Sequence, residues 1–319
     1  MNIVEFTQRN AGIQALRGQL FTAADIPLRK VDFSRNAIRR LNKDFLEGLE
    51  DTLLELKLNH NLLGNVYSNI FTPTEIARLT SLQTLNLAHN QLRALETGTL
   101  SSLSDLQVLH IEANSFLSVP SAALRGLQNL KVLTLQENDI DSVKNSSFVE
   151  TPSLLFLNIS HNRIVNMEDA AFQDLKSLVT LDVSYNRLES LRSRVFQGLT
   201  ALEELDLSSN FLTEIPSDAL KELKKLRILI LHDNRIQNLG GVVALGPMTS
   251  LEQLDLTRNN IVDLPTGTFR QLSGLKSLKL AVNSIRKVEN DAFEGLTSLE
   301  TLQLDDDNIL SIPGIALSK

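Results

Sequence analysis

The stretch LVTLDVSYNRLESLRSRVFQGLTA, residues 178–201, contains the pattern that determines the fold of this protein. Apolar residues stand at its positions 1, 4, 6, 11, 14, 19 and 22, and an asparagine, Asn186, stands at position 9. Apolar and polar residues alternate between Leu181 and Val183, which predicts a short β-strand with one buried face. The later apolar positions predict a return segment that packs under this strand.

The same pattern recurs along the chain. Most of the intervals between successive copies are 24 residues, and the first leucine of the pattern stands at Leu28, Leu53, Leu82, Leu106, Leu130, Leu154, Leu178, Leu202, Leu226, Leu251, Leu275 and Leu299. A period between 20 and 29 residues indicates stacked repeats, each of which buries its apolar face only against its neighbours. The sequence therefore predicts a single solenoid rather than two globular domains.

Two columns of side chains should run through this solenoid. Position 19 is often phenylalanine, which predicts a stacked aromatic spine. Position 9 is asparagine in eleven repeats, at Asn36, Asn61, Asn90, Asn114, Asn138, Asn162, Asn186, Asn210, Asn234, Asn259 and Asn283. An asparagine side chain can bond the backbone of neighbouring turns that would otherwise be buried without partners. Asp307 breaks this column in the twelfth repeat.

The complete 24-residue form resembles the leucine-rich repeats of animal extracellular proteins, such as the Toll-like receptor, Slit and chaoptin-type ectodomains. This resemblance implies an α/β leucine-rich-repeat solenoid. Its parallel β-sheet would be concave, and short helices or irregular turns would form the convex side. It also implies a non-enzymatic module for protein–protein recognition, of the adhesion, receptor or innate-immunity type, and it supplies no catalytic residues.

The pattern sets the expected boundaries. Residues 1–27 read as a degenerate N-terminal repeat or cap, and residues 28–319 read as one solenoid with an incomplete last repeat. Extracellular members of the resembled class usually carry Cys-rich caps, and this chain has no cysteine. We therefore expect the chain to be a fragment, with any membrane attachment supplied by segments outside it.

Two repeats depart from the pattern. The second is five residues longer than the 24-residue period, and the capping-box sequence Thr72-Pro73-Thr74-Glu75 within it predicts a short helix. In the ninth, Gly240–Pro247 replaces the phenylalanine segment, which indicates a local change of packing.

Composition excludes several classes of function. The 319 residues carry 31 Lys+Arg and 38 Asp+Glu, a net charge of −7, which argues against a nucleic-acid-binding protein. Zero cysteine excludes a thiolate nucleophile or a Cys-ligated zinc site. Motifs for phosphate, dinucleotide or catalytic-serine chemistry are absent from the sequence. We expect no enzyme activity, no cofactor and no metal.

The histidines cluster on the predicted concave face. His60, His89 and His161 occupy position 8, His110 occupies position 5 and His232 position 7. His60 and His89 should lie side by side on adjacent strands, about 5 Å apart. A pH-gated interface and a metal site are two hypotheses for these residues. The alternative is that they are ordinary polar surface residues.

Acidic residues dominate the same face in the later repeats. Asp182 and Asp206 share position 5 on neighbouring strands, where like charges repel unless solvent or a partner meets them. This predicts electrostatic steering of a basic partner, with a merely solvated acidic face as the alternative. The candidate partner-binding residues are His60, His89, His110, His161, Asp182, Tyr185, Asp206, His232, Asp233, Asp255 and Arg258.

The cellular setting rests on weaker signals. Asn145 and Asn158 each begin an N-x-S sequon, which would be glycosylated only in a secreted protein. We expect an extracellular or cell-surface protein that binds a protein ligand or receptor, with homo- or heterodimers possible in principle. The alternative, favoured by the lack of cysteine, is a cytoplasmic leucine-rich-repeat scaffold or regulatory subunit.

Overall fold

The computed structural model describes residues 4–16, 18, 20–21, 27–42, 44–64 and 77–313. The helix predicted at Thr72–Glu75 and the last residues of the incomplete repeat, 314–319, lie outside the described residues. In chain order the strands are β1 (Glu5–Thr7), β2 (Ala15–Leu16), β3 (Lys30–Asp32), β4 (Arg40–Leu41), β5 (Glu55–Lys57), β6 (Thr84–Asn86), β7 (Val108–His110), β8 (Val132–Thr134), β9 (Ser142–Val143), β10 (Phe156–Asn158), β11 (Asn166–Met167), β12 (Thr180–Asp182), β13 (Glu204–Asp206), β14 (Ile228–Ile230), β15 (Gln253–Asp255), β16 (Asp263–Leu264), β17 (Ser277–Lys279), β18 (Lys287–Val288) and β19 (Thr301–Gln303). The helices are α1 (Ser121–Leu124), α2 (Ser217–Leu220) and α3 (Gly240–Ala244).

The chain divides into two compact units. The first comprises Met1–Asp141 and Ser146–Ile159, and the second comprises Ser142–Asn145 and Ser160–Lys319. In the first unit β1, β3, β5, β6, β7, β8 and β10 form parallel pairs in that order. In the second, the parallel order is β12, β13, β14, β15, β17 and β19. Together the turns form a parallel solenoid of about twelve repeats, which confirms the predicted fold class.

Each strand of these sheets covers repeat positions 3 to 5 and turns its middle side chain toward the core; Asp32 on β3 and Thr134 on β8 are buried as well. In β12, Leu181 is fully buried, whereas Thr180 and Asp182 are half-buried. The register of neighbouring strands keeps equal positions opposite each other, so that Asp182 pairs with Asp206. Because the register is constant, each repeat position forms a row along the sheet.

A left-handed residue ends every one of these strands. The residue at position 8 has a φ near +50° to +60°, a region that bulky side chains rarely adopt. These residues are Asn10, Arg35, His60, His89, Ala113 and Glu137 in the first unit, and His161, Tyr185, Ser209, Asp233, Arg258, Val282 and Asp306 in the second. The turn reverses the chain and brings position 9 back into the interior.

The position 9 asparagines form the predicted column of hydrogen bonds. The Asn61 Nδ2 donates to the carbonyl oxygens of Phe33 and Leu58, both at 3.0 Å. The Asn61 Oδ1 accepts the backbone N–H of Ile38 from the preceding repeat, also at 3.0 Å. Asn61 is only 5% exposed, so its amide satisfies backbone groups that water does not reach. The same arrangement recurs down to Asn283.

Phenylalanine rings fill the space under the return segments. In the second unit, Phe172 stacks on Phe196 and Phe269 stacks on Phe293, each pair with ring centroids 6.1 Å apart. Three of these four rings are at most 1% exposed. This geometry confirms the stacked spine predicted from position 19, at least for these two pairs.

The irregular ninth repeat forms α3 in place of the phenylalanine turn. Gly241 packs so closely against Ile215 that an added Cβ atom would lie 2.7 Å from both the Ile215 Cβ atom and its carbonyl oxygen. Val242 and Leu245 take over the buried positions. The local repacking expected from Gly240–Pro247 is therefore a short helix that needs a small residue where it meets the preceding turn.

Candidate interaction surface of the parallel sheets

Side chains at positions 3, 5, 7 and 8 of the repeats project from the solvent side of each sheet. We call this surface the sheet face. Every predicted partner-binding residue lies on it, at position 5, 7 or 8 of its repeat. The contacts of those residues decide which of them are available to a partner.

His60 and His89 form a stacked pair in the first unit. Their ring centroids are 4.1 Å apart and their planes differ by 8°. Burial lowers the pKa of His60 below its ordinary value, and the charges of His89 and Arg35 lower it further, while Glu112 opposes them. The predicted side-by-side placement is therefore confirmed, and Arg35 and Glu112 act on His60 with opposite charges.

His110 belongs to a different group, a hydrogen-bonded chain across β7 and β8. Its Nδ1 atom lies 2.9 Å from the Thr134 Oγ1 atom, which in turn donates a short hydrogen bond to Glu112. If Nδ1 carries the proton, the Nε2 atom of His110 remains an acceptor. The chain fixes the imidazole orientation on the sheet face.

His161 and Tyr185 form the aromatic part of the second unit. Their ring centroids are 4.1 Å apart with planes at 9°. Tyr185 is 50% exposed, and the next residue in the position 8 row is the small Ser209. The stack therefore offers a flat ring to solvent, a feature common at protein interfaces.

Asp182 and Asp206 are in register on β12 and β13. Each carboxylate accepts the backbone N–H of the residue two positions later, Ser184 at 2.9 Å and Ser208 at 2.8 Å. Burial raises the pKa of Asp206; hydrogen bonds from Ser208 oppose that shift, the Asp182 charge adds to it and the His232 charge opposes it. No described basic residue forms an ion pair with either carboxylate.

Asp233 and Asp255, the other predicted acidic residues of the second unit, already have basic partners within the protein. Asp233 lies 2.9 Å from the His232 Nδ1 atom and 3.9 Å from Arg258. Asp255 pairs with Lys279 at 3.2 Å. Among the predicted acidic site residues of this unit, Asp182 and Asp206 are therefore the two that form no ion pair with a described residue.

Position 2 of the repeats carries a row of alternating acidic and basic side chains, which was not predicted from the sequence. Arg227 lies 3.3 Å from both Glu203 and Glu252, and Lys276 lies 3.3 Å from Glu252. Hydrogen bonds from Arg227 and then from Lys276 lower the pKa of Glu252. The alternating signs of charge become visible when position 2 is compared across consecutive repeats. A count of acidic residues alone does not show them.

The two sequons occupy different environments. Asn145 is exposed, and its backbone N–H donates to the Glu168 carboxylate at 3.0 Å. Asn158 ends β10 on the sheet face and is half-buried, while the sequon serines Ser147 and Ser160 are only 4% and 3% exposed. The exposed loop at Asn145 is the more accessible acceptor of the two.

Metal-binding clusters and membrane-spanning helices are both absent from the described part of the chain. No group of three or more His, Asp or Glu side chains there has a geometry that could hold a metal ion. None of the helices in that part is long and apolar enough to cross a bilayer. What the sheet face does offer is an open surface of charged, aromatic and hydrogen-bonding groups.

Comparisons with known proteins agree with this geometry. A leucine-rich-repeat protein of Leptospira interrogans is 27% identical, with a TM-score of 0.70, over 90% of this chain and 74% of that one. Toll in its complex with Spatzle from Drosophila is 19% identical, with a TM-score of 0.70, over 90% of this chain and 40% of that one. TLR13 in complex with ssRNA13 is 20% identical, with a TM-score of 0.56, over 96% of this chain and 63% of that one.

The sequence comparison with protein families is more direct. No curated protein sequence matches the chain significantly. The leucine rich repeat profile, however, matches residues 72–116, 104–164, 157–210, 177–236, 201–246 and 249–309, which together exceed half of the chain. These matches coincide with the repeats, the strands and the asparagine column described above. The chain therefore belongs to the leucine rich repeat family.

Proposed function

We propose that this protein is a non-enzymatic recognition module that binds a partner protein through its sheet face. The observation that carries this proposal is the pair Asp182 and Asp206. Both carboxylates stand in register, without an ion pair, while the other predicted acidic residues of that unit are neutralised within the protein. Two adjacent like charges are unfavourable alone and favourable with a basic group bound to them.

The surroundings of this pair also suit a protein partner. Tyr185 exposes half of its surface in the repeat that contains Asp182, and Ile228 and Ile230 follow on β14, next to β13. An aromatic ring, aliphatic side chains and desolvated charges are the usual components of a binding hot spot. The structural similarity to Toll in complex with Spatzle supports a protein partner, and the net charge of −7 favours protein over nucleic acid.

Site-specific cross-linking tests this proposal. A photo-cross-linking amino acid, p-benzoylphenylalanine, replaces Thr180 on the sheet face or Gln197 in the return segment of the same repeat. We expect irradiation of cells that express each variant to give a discrete cross-linked protein with the Thr180 variant and none with the Gln197 variant. Equal cross-linking at both positions, or at Gln197 alone, would contradict binding through the sheet face.

We further propose an extracellular or cell-surface setting. The support is the resemblance of the 24-residue repeat to extracellular proteins and the exposed sequon at Asn145. Passage of the chain through a secretory pathway should give a glycosidase-sensitive mass increase that Asn145→Gln removes. Efficient folding in the cytosol with no modification in the secretory pathway would favour the scaffold alternative instead.

A further inference from the structure

The sheet strands β3, β5 and β6 of the first unit carry two lysines and two carboxylates, so that they have no net negative charge, although the whole chain carries −7. Glu55 on β5 is bound by two lysines, Lys30 at 3.2 Å and Lys57 at 2.6 Å, so that one carboxylate meets two cations. Asp32 on β3 is only 4% exposed and is neutralised by Arg9. The carboxylates of these strands are therefore not available to attract a cation.

A row of three cationic or titratable side chains lies at the end of these strands. Arg35, His60 and His89 follow β3, β5 and β6 at position 8, each with left-handed backbone. Arg35 is exposed and forms no ion pair with any described carboxylate. His60 and His89 stack on each other and likewise form no ion pair with a described residue.

The charges around His60 indicate which kind of group would be favourable beside it. Burial and the charges of His89 and Arg35 disfavour its protonated form, and Glu112 is the only opposing charge that reaches it. A negative group placed between Arg35 and the two imidazoles would reverse this balance. Binding of that group and protonation of the histidines would then favour each other, because linkage is reciprocal.

We propose that Arg35, His60 and His89 form a binding site for a carboxylate-rich segment of a partner protein, and that protonation of the two histidines tightens it. This inference rests on the proposed function, because it names the chemistry of a partner bound at the sheet face. A protein segment is favoured over a nucleic acid because the rest of the chain is acidic and the ring faces in this row are stacked on each other, leaving less aromatic surface for bases.

The test uses a fluorescein-labelled hexa-aspartate peptide, whose carboxylates remain ionised at pH 5.0. Fluorescence anisotropy at low salt gives its Kd for the full chain at pH 7.5 and pH 5.0. We expect binding at least ten times tighter at pH 5.0, and no such increase with a hexa-lysine peptide. An equal Kd at both pH values, or no binding, would overturn the proposal.

Substitutions test whether the pH dependence of peptide binding comes from these histidines. His60→Asn with His89→Asn should abolish the pH dependence, since asparagine tolerates the left-handed backbone and carries no charge. Arg35→Gln should weaken binding at both pH values, whereas the matched control Arg39→Gln, at an exposed arginine outside the sheet face, should change neither. Retention of the pH dependence in the double variant would overturn the assignment to these histidines.

Two further readouts separate the possible outcomes. In histidine NMR spectra, the pKa of His60 should rise when the peptide is added, which a merely structural role would not produce. Tighter binding of an oligouridylate than of hexa-aspartate, with the same histidine dependence, would overturn the choice of a protein partner. Failure of the peptide assay alongside successful cross-linking at Thr180 would remove this site and leave the proposed function standing.

Discussion

The position 9 asparagine is the residue on which each turn depends. Asn234 donates to the carbonyl oxygens of Leu207 and Leu231 at 3.0 and 3.1 Å, and accepts the Leu212 N–H at 3.0 Å. Asn234→Ala leaves those buried groups without partners. We expect a loss of about 3–5 kcal/mol in the free energy of unfolding in urea. The control Asn308→Ala, at an exposed asparagine, should change it by less than about 0.5 kcal/mol; equal losses would contradict the role of the column.

Asp307 shows what happens when this residue changes. Its Oδ1 atom accepts the Asn283 N–H at 3.0 Å, as an asparagine would, but its Oδ2 atom is buried and has no hydrogen-bond partner. Burial raises the pKa of Asp307, and Asp306 and Asp305 raise it further, against hydrogen bonds from Ile285 and Asn283. The ionised carboxylate is therefore a local source of instability.

We expect Asp307→Asn to stabilise the protein at pH 7 by about 1–2 kcal/mol, because the amide supplies donors where the carboxylate has none. The folded-state pKa of Asp307 is raised, so the wild-type penalty appears as pH rises through that value and vanishes below the unfolded pKa. The advantage of the variant should therefore shrink toward pH 3. Urea unfolding at both pH values measures it, and Glu300→Gln, at an exposed glutamate, is the control. A destabilised Asp307→Asn variant would contradict this account.

At the level of residues, some features could be predicted from the sequence and others could not. The asparagine column was predictable because one residue type recurs at a fixed spacing and only its amide can both donate and accept there. The left-handed backbone at position 8 was not, since Tyr185, Ala113 and Val282 are not residue types that favour a positive φ. The repeat imposes that conformation on whichever side chain stands there.

At the level of elements, the short helix α3 depends on the absence of one methyl group. Gly241→Ala would place a Cβ atom 2.7 Å from Ile215, and we expect it to lower the free energy of unfolding by about 1–3 kcal/mol. At Gly240, the nearest atom to an added Cβ is the flexible Asn238 Oδ1 at 3.3 Å. Gly240→Ala should be neutral or stabilising, given the helix propensity of alanine. Thermal unfolding of the two variants compares them; equal stability would contradict the steric argument.

The strands were predictable as elements, and their charge pairing was not. Alternation around Leu181 predicted β12 and its equivalents, because an apolar residue stands in the middle of each strand of the two parallel sheets. The neutralisation of Asp255 by Lys279 depends on which charges share a position in consecutive repeats, 24 residues apart. A list of acidic residues along the chain does not contain that information.

At the level of the whole molecule, the sequence predicted the solenoid, its period and its sheet face, since all three follow from the repeat. It could not rank the candidate site residues, because their availability depends on contacts between repeats. Asp182 and Asp206 emerge as the predicted carboxylates of the second unit that form no ion pair with a described residue, and Arg35, His60 and His89 form a row of the first unit without such a pair.

The central claim is that the sheet face binds the partner, and one measurement tests it most directly. Asn86 shows that asparagine at position 5 accepts the same backbone N–H as aspartate does, at 3.0 Å. Asp182→Asn with Asp206→Asn therefore removes both charges and should preserve the turns. The control removes two exposed carboxylates in and beside α2, through Asp218→Asn with Glu222→Gln.

The quantity to measure is the Kd of the partner captured at Thr180, by calorimetry with both double variants. We predict binding at least about tenfold weaker for the Asp182/Asp206 variant, which corresponds to about 1.4 kcal/mol, and within about twofold of wild type for the control. Equal weakening by the two variants, or none by the first, would contradict recognition through the sheet face.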